Sequence, residues 1–228
     1  MIDNMITFFA GIPWSEIGKA TLETIYITFA STLIAYIIGL PLGVVLKITD
    51  KNGITPNRFV YKVLDVIINI LRSAPFVILM IFVIPLTRLI VGKSYGATAT
   101  IVPLVIAAAP FIARTVESSL SEVDQGVVEA AQSLGATNMT IITKVMLLEA
   151  RTSLLINMTI VFGTILGYSA MAGTIGGGGL GALAINYGYY RYKTDIMVIT
   201  LVILIVIVQL FQMGGMWLAK KLDRRNRT

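Results

Sequence analysis

Cysteine and histidine are both absent from the 228-residue chain. Thiol nucleophiles, imidazole bases and the commonest zinc ligands are therefore excluded, and no metal site is expected. Charge is scarce as well: 13% of the residues are Asp, Glu, Lys or Arg, against roughly 25% in a typical soluble domain. The opening residues have neither a basic n-region nor a small-residue cleavage site, so no removable signal peptide is expected and the first span serves as an uncleaved one. Two motifs exist only in outline. Gly176, Gly177, Gly178, Gly179 and Gly181 look like a phosphate loop, but no Gly-Lys-Ser/Thr follows, which excludes ATP binding by a P-loop. The run from Gly167 through Tyr168, Ser169 and Ala170 starts like a nucleophile elbow, but it ends in Met171 instead of Gly and has no His to act as base, which excludes a hydrolase of that type. An ion-coupled carrier would need a buried acid or base in mid-membrane and broken helices paired across two halves, and neither is evident.

What the chain does have is apolar length. Hydrophobic residues make up 56% of it, and an all-α integral membrane protein of one domain follows, with room for about five or six crossings of about 20 residues each. The net charge of +6 fits basic cytoplasmic loops better than nucleic acid, which is not expected as a partner. The expected spans are 21–46, 74–91, 97–114, 153–171 and 196–218, which leaves 1–20 as an N-terminal segment and 221–228 as a basic tail. Ser15 is a possible N-cap for the first helix. Gly39, Pro41 and Gly43 interrupt the first run in a way that membrane helices tolerate.

Between Phe59 and Arg72 the pattern is amphipathic. Lys62, Asp65, Asn69 and Arg72 share one face, and Val60, Leu64, Ile67, Ile68 and Leu71 the other. This segment is expected as a surface or bundle-packed helix leading into the second span, with kinks at Pro75 and Pro85. An Arg in hydrocarbon costs about 2.5–3.5 kcal/mol, so Arg72 must face protein, water or headgroups. Gly163 and Gly167 form a GxxxG pair of the kind that packs helices together.

The one polar passage amid the apolar runs is 129–148, EAAQSLGATNMTIITKVMLL. Two short helices fit it, one through Glu129, Ala130, Ala131 and Leu134, closed by a left-handed Gly135, and one rising from Thr137 or Asn138. Spacing alone also fits an ordinary loop. A helix-Gly-helix elbow with small residues would offer another protein a knob to approach closely. With five spans, Lys47, Lys51, Arg58, Lys62, Arg114, Lys144, Arg151, Lys220, Lys221, Arg224, Arg225 and Arg227 fall on one side, while Lys19, Arg88, Lys93, Arg191 and Lys193 fall on the other. The positive-inside bias puts the N-terminus outside, the C-terminus inside and the elbow in the cytoplasm.

Glu129-Ala130-Ala131, three residues, Gly135, then nine residues to Val145-Met146-Leu147-Leu148 resembles the EAA loop of the inner-membrane permeases of ABC importers, EAA-x3-G-x9-I-x-L-P. Leu148 stands where the family has Pro, so the bend after the second helix has no proline to make it. NILRSAPF at 69–76, IPLTRLIVG at 84–92, AAPFIARTVE at 108–117, GYSAMAGTIGGGGLG at 167–181 and YGYYRY at 187–192 are similar to the methionine-importer branch, so the resemblance covers nearly the whole chain from about residue 21. It implies a transporter subunit rather than an enzyme: a five-helix permease that pairs with a second copy of itself, two cytoplasmic ATPase subunits that hold ATP and Mg and dock on Glu129, Ala130, Ala131 and Gly135, and an extracellular substrate-binding protein that delivers methionine or a related amino acid or peptide. Tyr168, Ser169 and Met171, just beyond the GxxxG pair, are expected near the twofold axis as part of the pathway or gate, Met171 because a flexible thioether can close an apolar constriction. Packing or lipid contact is the alternative for each of the three. A stand-alone channel or carrier is the second functional class that the spans allow.

Overall fold

The computed structural model describes residues 12–222. The expectations for the first eleven residues and for 223–228 in the basic tail lie outside the described residues. Among the described residues every regular element is helical. The first helix, α1, runs Trp14–Thr49. Its 36 residues extend about 54 Å at 1.5 Å per residue, well beyond a hydrocarbon core of about 30 Å. It starts earlier than the apolar run beginning at residue 21 suggests, and Ser15 does not cap it: Pro13 occupies the N-cap position, with no side-chain cap. Pro41 lies inside the helix without ending it.

The second helix, α2 (Arg58–Ser73), opens on Asn57, whose side chain accepts from the amides of Phe59 and Val60. It turns by 103° into α3 (Phe76–Phe82) where Pro75 cannot continue a helix, and α4 (Ile84–Val91) follows with Pro85 in its first turn. Next come α5 (Ala97–Ser121) and two short helices, α6 (Gln125–Ser133) and α7. The latter is built from Asn138–Thr140, a π-helical turn Ile141–Met146, and Leu147–Glu149. Helix α8 (Arg151–Ala172) ends in a glycine-rich segment that leads to the short α9 (Gly179–Leu183), and α10 (Thr194–Leu222) closes the described chain.

Among the described residues four helices, α1, α5, α8 and α10, are long and apolar enough to cross a membrane, or five when the bent α2–α3 pair is taken as one span. Hydrogen bonds sort the ends. At one end the Gly96 amide donates to the Gly176 carbonyl, the Gly179 amide to the Glu23 carboxylate, and the Tyr187 hydroxyl to Glu16. The Glu16 hydrogen bond raises the Tyr187 pKa, with the Arg191 guanidinium over its ring opposing. At the other end Arg151 donates to the Leu222 carbonyl. The first end holds the start of α5 and the second the end of α1, so the chain between them has to cross, and the α2–α4 stretch supplies that crossing.

The core of the bundle is the crossing of α1 over α5. A Cβ on Gly39 would lie 2.7 Å from the Ala109 carbonyl oxygen, and one on Gly43 would lie 2.5 Å from that of Ala113. The two glycines that interrupt the first hydrophobic run are therefore what lets the backbones touch, and they form the small-xxx-small contact here. Behind them Ile112, Val116 and Leu120 of α5 are fully buried with Ile27 and Ala35 of α1. Helix α10 packs along one side, on α8 through Phe211 stacked on Phe162 at 3.5 Å and Gly215 against Thr159, and on α1 and α9 through Ile199, Ile203 and Ile207 against Ile17, Ala20 and Leu180. Most of its apolar length is exposed, as suits an outer helix facing lipid.

Gly43→Leu should overpack this crossing and cost about 1–3 kcal/mol, seen as a lower thermal midpoint of the detergent-solubilised protein. Gly18→Ala, on the same helix with nothing within 4 Å of the added methyl, should leave the midpoint unchanged or slightly raised. Equal shifts from the two substitutions would contradict the crossing.

Candidate functional site

The polar passage folds as a helix-Gly-helix elbow. Asp124 caps α6 by accepting from the Gly126 amide at 2.7 Å. At the other end the Gly135 amide donates to Gln132 and the Ala136 amide to Ala131, the paired bonds of a Schellman cap. Gly135 takes φ +76°, a conformation that costs most L-residues about 1–2 kcal/mol, and nothing lies within 4 Å of the place a side chain would occupy. Thr137 then caps α7 through the Thr140 amide. Val128, Ala131 and Ala136 pack down against the core, which leaves Glu129 and Ala130 exposed beside Leu134, 87% exposed, and Met139, 69% exposed. The four elbow residues singled out in the sequence thus divide: Glu129, Ala130 and Gly135 face outward, while Ala131 anchors α6. Leu134 and Met139 complete the outward knob. An apolar residue with no burial partner at a helix C-cap was the signal that could have identified Leu134.

Beyond the elbow, α7 ends at Glu149 and α8 starts at Arg151, with buried Ala150 between them. The break that a proline would make is present without one, two residues after Leu148. Ala150 is the covalent junction between the elbow and α8, and Ser153 of α8 also hydrogen-bonds Ser119 and Glu122 just ahead of α6.

Three residues of α8 were singled out, and the structure separates them. Thr164, Tyr168 and Met171 recur on one face, with Met171 49% exposed and Tyr168 stacked flat on Phe76 at 4.5 Å. Ser169 is buried, and its hydroxyl donates to the Leu166 carbonyl at 2.8 Å, so it stands behind that face. Gly167 lies on the exposed side with nothing within 4 Å of its added methyl, whereas Gly163 meets Gln212 and Val208 of α10. Within one chain, then, the GxxxG pair is half used. The open half lies beside Tyr168 and Met171.

The polar face of α2 is used from within. Arg114 on α5 donates to Asp65, to Asn69 and, at 2.7 Å, to Glu117. Tyr61 donates to Glu117 at 3.1 Å. These contacts join α2 to α5 beside the buried Ile68 and partly buried Leu64. Asp65 and Asn69 therefore hold the helix in the bundle, which the amphipathic pattern did not reveal. Arg72, one turn further along, lies 6.0 Å over the Phe111 ring.

At the glycine-rich segment, Gly179 (φ +71°) turns its amide to the Glu23 carboxylate at 2.9 Å, and the Leu180 amide donates to the Thr24 hydroxyl at 2.8 Å. Thr100 donates to the Gly177 carbonyl. The segment is thus a fixed piece of backbone tied to α1 and α5, its amides used by the chain itself.

Residues 39–228 match the family model described as the binding-protein-dependent transport system inner membrane component. The chain is 50% identical over 206 residues to the probable D-methionine transport system permease protein MetI of Vibrio cholerae serotype O1, across 90% of this chain and 92% of that protein. It is 47% identical over 212 residues to the protein of the same description in Haemophilus influenzae, across 93% of this chain and 100% of that one. A solved structure of the MetNI methionine ABC transporter in inward-facing conformations superposes with a TM-score of 0.91 at 43% identity, covering 92% of this chain and 98% of the other.

Removing the Arg114 guanidinium leaves the buried Glu117 and the partly buried Asp65 carboxylates without a cation. Arg114→Gln should therefore cost about 1–3 kcal/mol, whereas Tyr61→Phe, which removes one hydrogen bond, should cost about 1 kcal/mol. Thermal unfolding in detergent measures both. An Arg114 variant within about 0.5 kcal/mol of the parent, the range of ordinary surface substitutions, would contradict the joining role.

Proposed function

The chain belongs to the binding-protein-dependent transport system inner-membrane family, and from that premise we propose that it is the permease subunit of an ATP-driven importer that moves methionine, or a closely related amino acid, into the cell by alternating access. The observation that carries this reading is the elbow. Its rigid, Gly-closed knob with Glu129, Ala130, Leu134 and Met139 facing outward is suited to fit a partner's groove, and a single junction at Ala150 links it to the helix that carries Tyr168 and Met171. The 50% identity to a methionine permease supports the substrate.

The machine is then two copies of this chain, two ATPase subunits seated on the elbows and holding ATP and Mg, and an extracellular binding protein that delivers the amino acid. Residues 21–220 form the transmembrane domain, 1–20 an extracellular segment and 221–228 a cytoplasmic tail. Lys47, Lys51, Lys144 and Arg151 at the elbow end favour the cytoplasm for that end, with the N-terminus outside. The open Gly167 face meets its counterpart across the twofold axis. Met171 from both copies forms the gate, Tyr168 lines the pathway beside it, and Ser169 supports them from behind. ATP binding draws the ATPase pair and the elbows together and opens the pathway outward; hydrolysis resets it.

Purification in mild detergent with the neighbouring ATPase co-expressed tests the core of this reading, because the two should come out together. Gly135→Val should weaken that association about tenfold, through the cost of the left-handed position, and Glu129→Lys should weaken it by presenting the wrong charge. Both variants should still insert in the membrane. Wild-type uptake with an unchanged stimulated ATPase rate in the Gly135 variant would mean that the elbow is only a loop.

Sidedness has its own check. A reporter active only in the cytoplasm should work when fused after Thr228 and fail when fused before Met1. Signal from both ends would contradict five crossings.

A further inference from the structure

Arg72 is a charged side chain that neither the α2–α5 ion pairs nor the elbow uses. It sits in the last turn of α2, three residues before Pro75, and the two ion pairs among the described residues both belong to Arg114, so its guanidinium has no carboxylate partner there. It is exposed into a cavity of about 220 Å³ whose walls include Phe76, Phe111, Thr164 and Tyr168. Depth along the helices agrees from three sides: Phe111 lies ten residues from the end of α5, Arg72 fourteen from the start of α2 and Thr164 thirteen from the start of α8, which is about 15–21 Å at 1.5 Å per residue. The cavity therefore lies about three to four turns in from those helix ends, and a guanidinium without a carboxylate partner among membrane-spanning helices is a functional-site candidate.

Its walls match one class of ligand. Arg72 offers a planar fork of donors suited to a carboxylate. The Thr164 hydroxyl spends its proton on the Ile160 carbonyl at 3.0 Å, leaving its oxygen free to accept from an ammonium group. Between them lie the Phe111 ring under Arg72 at 6.0 Å and the Phe76–Tyr168 stack at 4.5 Å, apolar faces of the kind that a thioether or aliphatic chain packs against. The volume is below the roughly 300–1,000 Å³ typical of sites for larger ligands.

Resting on the importer reading above, we propose that this cavity is a substrate station inside the permease itself: a zwitterionic amino acid with an apolar side chain binds there, with its carboxylate on Arg72, its ammonium on Thr164 and its side chain on the Phe76, Phe111 and Tyr168 rings. The permease then selects for a free carboxylate independently of the delivery protein.

The test is equilibrium binding to the permease–ATPase complex without its binding protein, nucleotide-free and ATP-trapped, with radiolabelled L-methionine, D-methionine and methionine amide as probes. One of the acids should bind at least tenfold more tightly than the amide in one of the two states. Arg72→Gln should lose at least tenfold of that affinity together with the acid preference, and Arg72→Lys should recover part of both. Absence of acid binding in both states, equal binding of acid and amide by the wild-type complex, or an assembled Arg72→Gln complex that keeps the preference would each overturn the station. The acid–amide comparison needs no variant, so misfolding of a variant cannot mask the result. If no ATPase associates, the importer reading fails and the station with it; if the complex imports methionine yet one of those three results is found, the station alone falls.

Discussion

The close approach of α1 and α5 at Gly39 and Gly43 is the contact on which the remaining geometry depends. In hydrocarbon, apolar side chains gain little by leaving lipid for one another, so helices associate where backbones can come close enough for dispersion contacts along their length. Once α5 is fixed in this way, its other faces are committed. One presents Arg114 to Asp65 and Asn69 and so holds α2. Another presents Phe111 to the cavity under Arg72. Its end delivers the chain directly to the elbow. A side chain at position 39 or 43 would move all three.

The same constraint explains the irregular stretches. Backbone that is not helical at membrane depth must find partners within the protein. The glycine-rich segment does so through Glu23, Thr24 and Thr100. The sharp turn at Pro75 gives up helical bonds where proline could not have donated one, and it places Arg72 and Phe76 on adjoining walls of one cavity. A straight second span would have separated them from Tyr168.

Much of this was legible in the residues. Long apolar runs locate most spans because the bilayer sets their length, although α1 starts at Trp14 rather than 21 and the expected 74–91 crossing is broken between α3 and α4 and bent back onto α2. The elbow was readable because Gly at a left-handed cap followed by a Thr N-cap is local chemistry. The partners of the polar residues on α2 were not, since Asp65 and Asn69 meet Arg114 across 45 or more positions of chain and an amphipathic pattern cannot distinguish water from a buried guanidinium. Spacing could not tell the glycine pairs apart for a related reason. Gly163 and Gly167 have the spacing of a packing motif, as do Gly39 and Gly43, but whether space is filled within one chain depends on the neighbouring helix, which no local pattern encodes. Ser169 was grouped with its neighbours by proximity in sequence, although successive helical residues point about 100° apart.

The proposed mechanism requires that a change at the elbow reach the face of α8 that carries Tyr168 and Met171. Because the chain contains no cysteine, a single Cys at position 171 gives one label per copy, and the distance between the two labels can be followed by double electron–electron resonance in the reconstituted permease–ATPase complex. The account predicts that this distance increases on trapping with ATP and that the increase is lost when Gly135→Val is added. The same distance in the resting and trapped states, or an increase that persists in the Gly135 variant with the ATPase still bound, would contradict it.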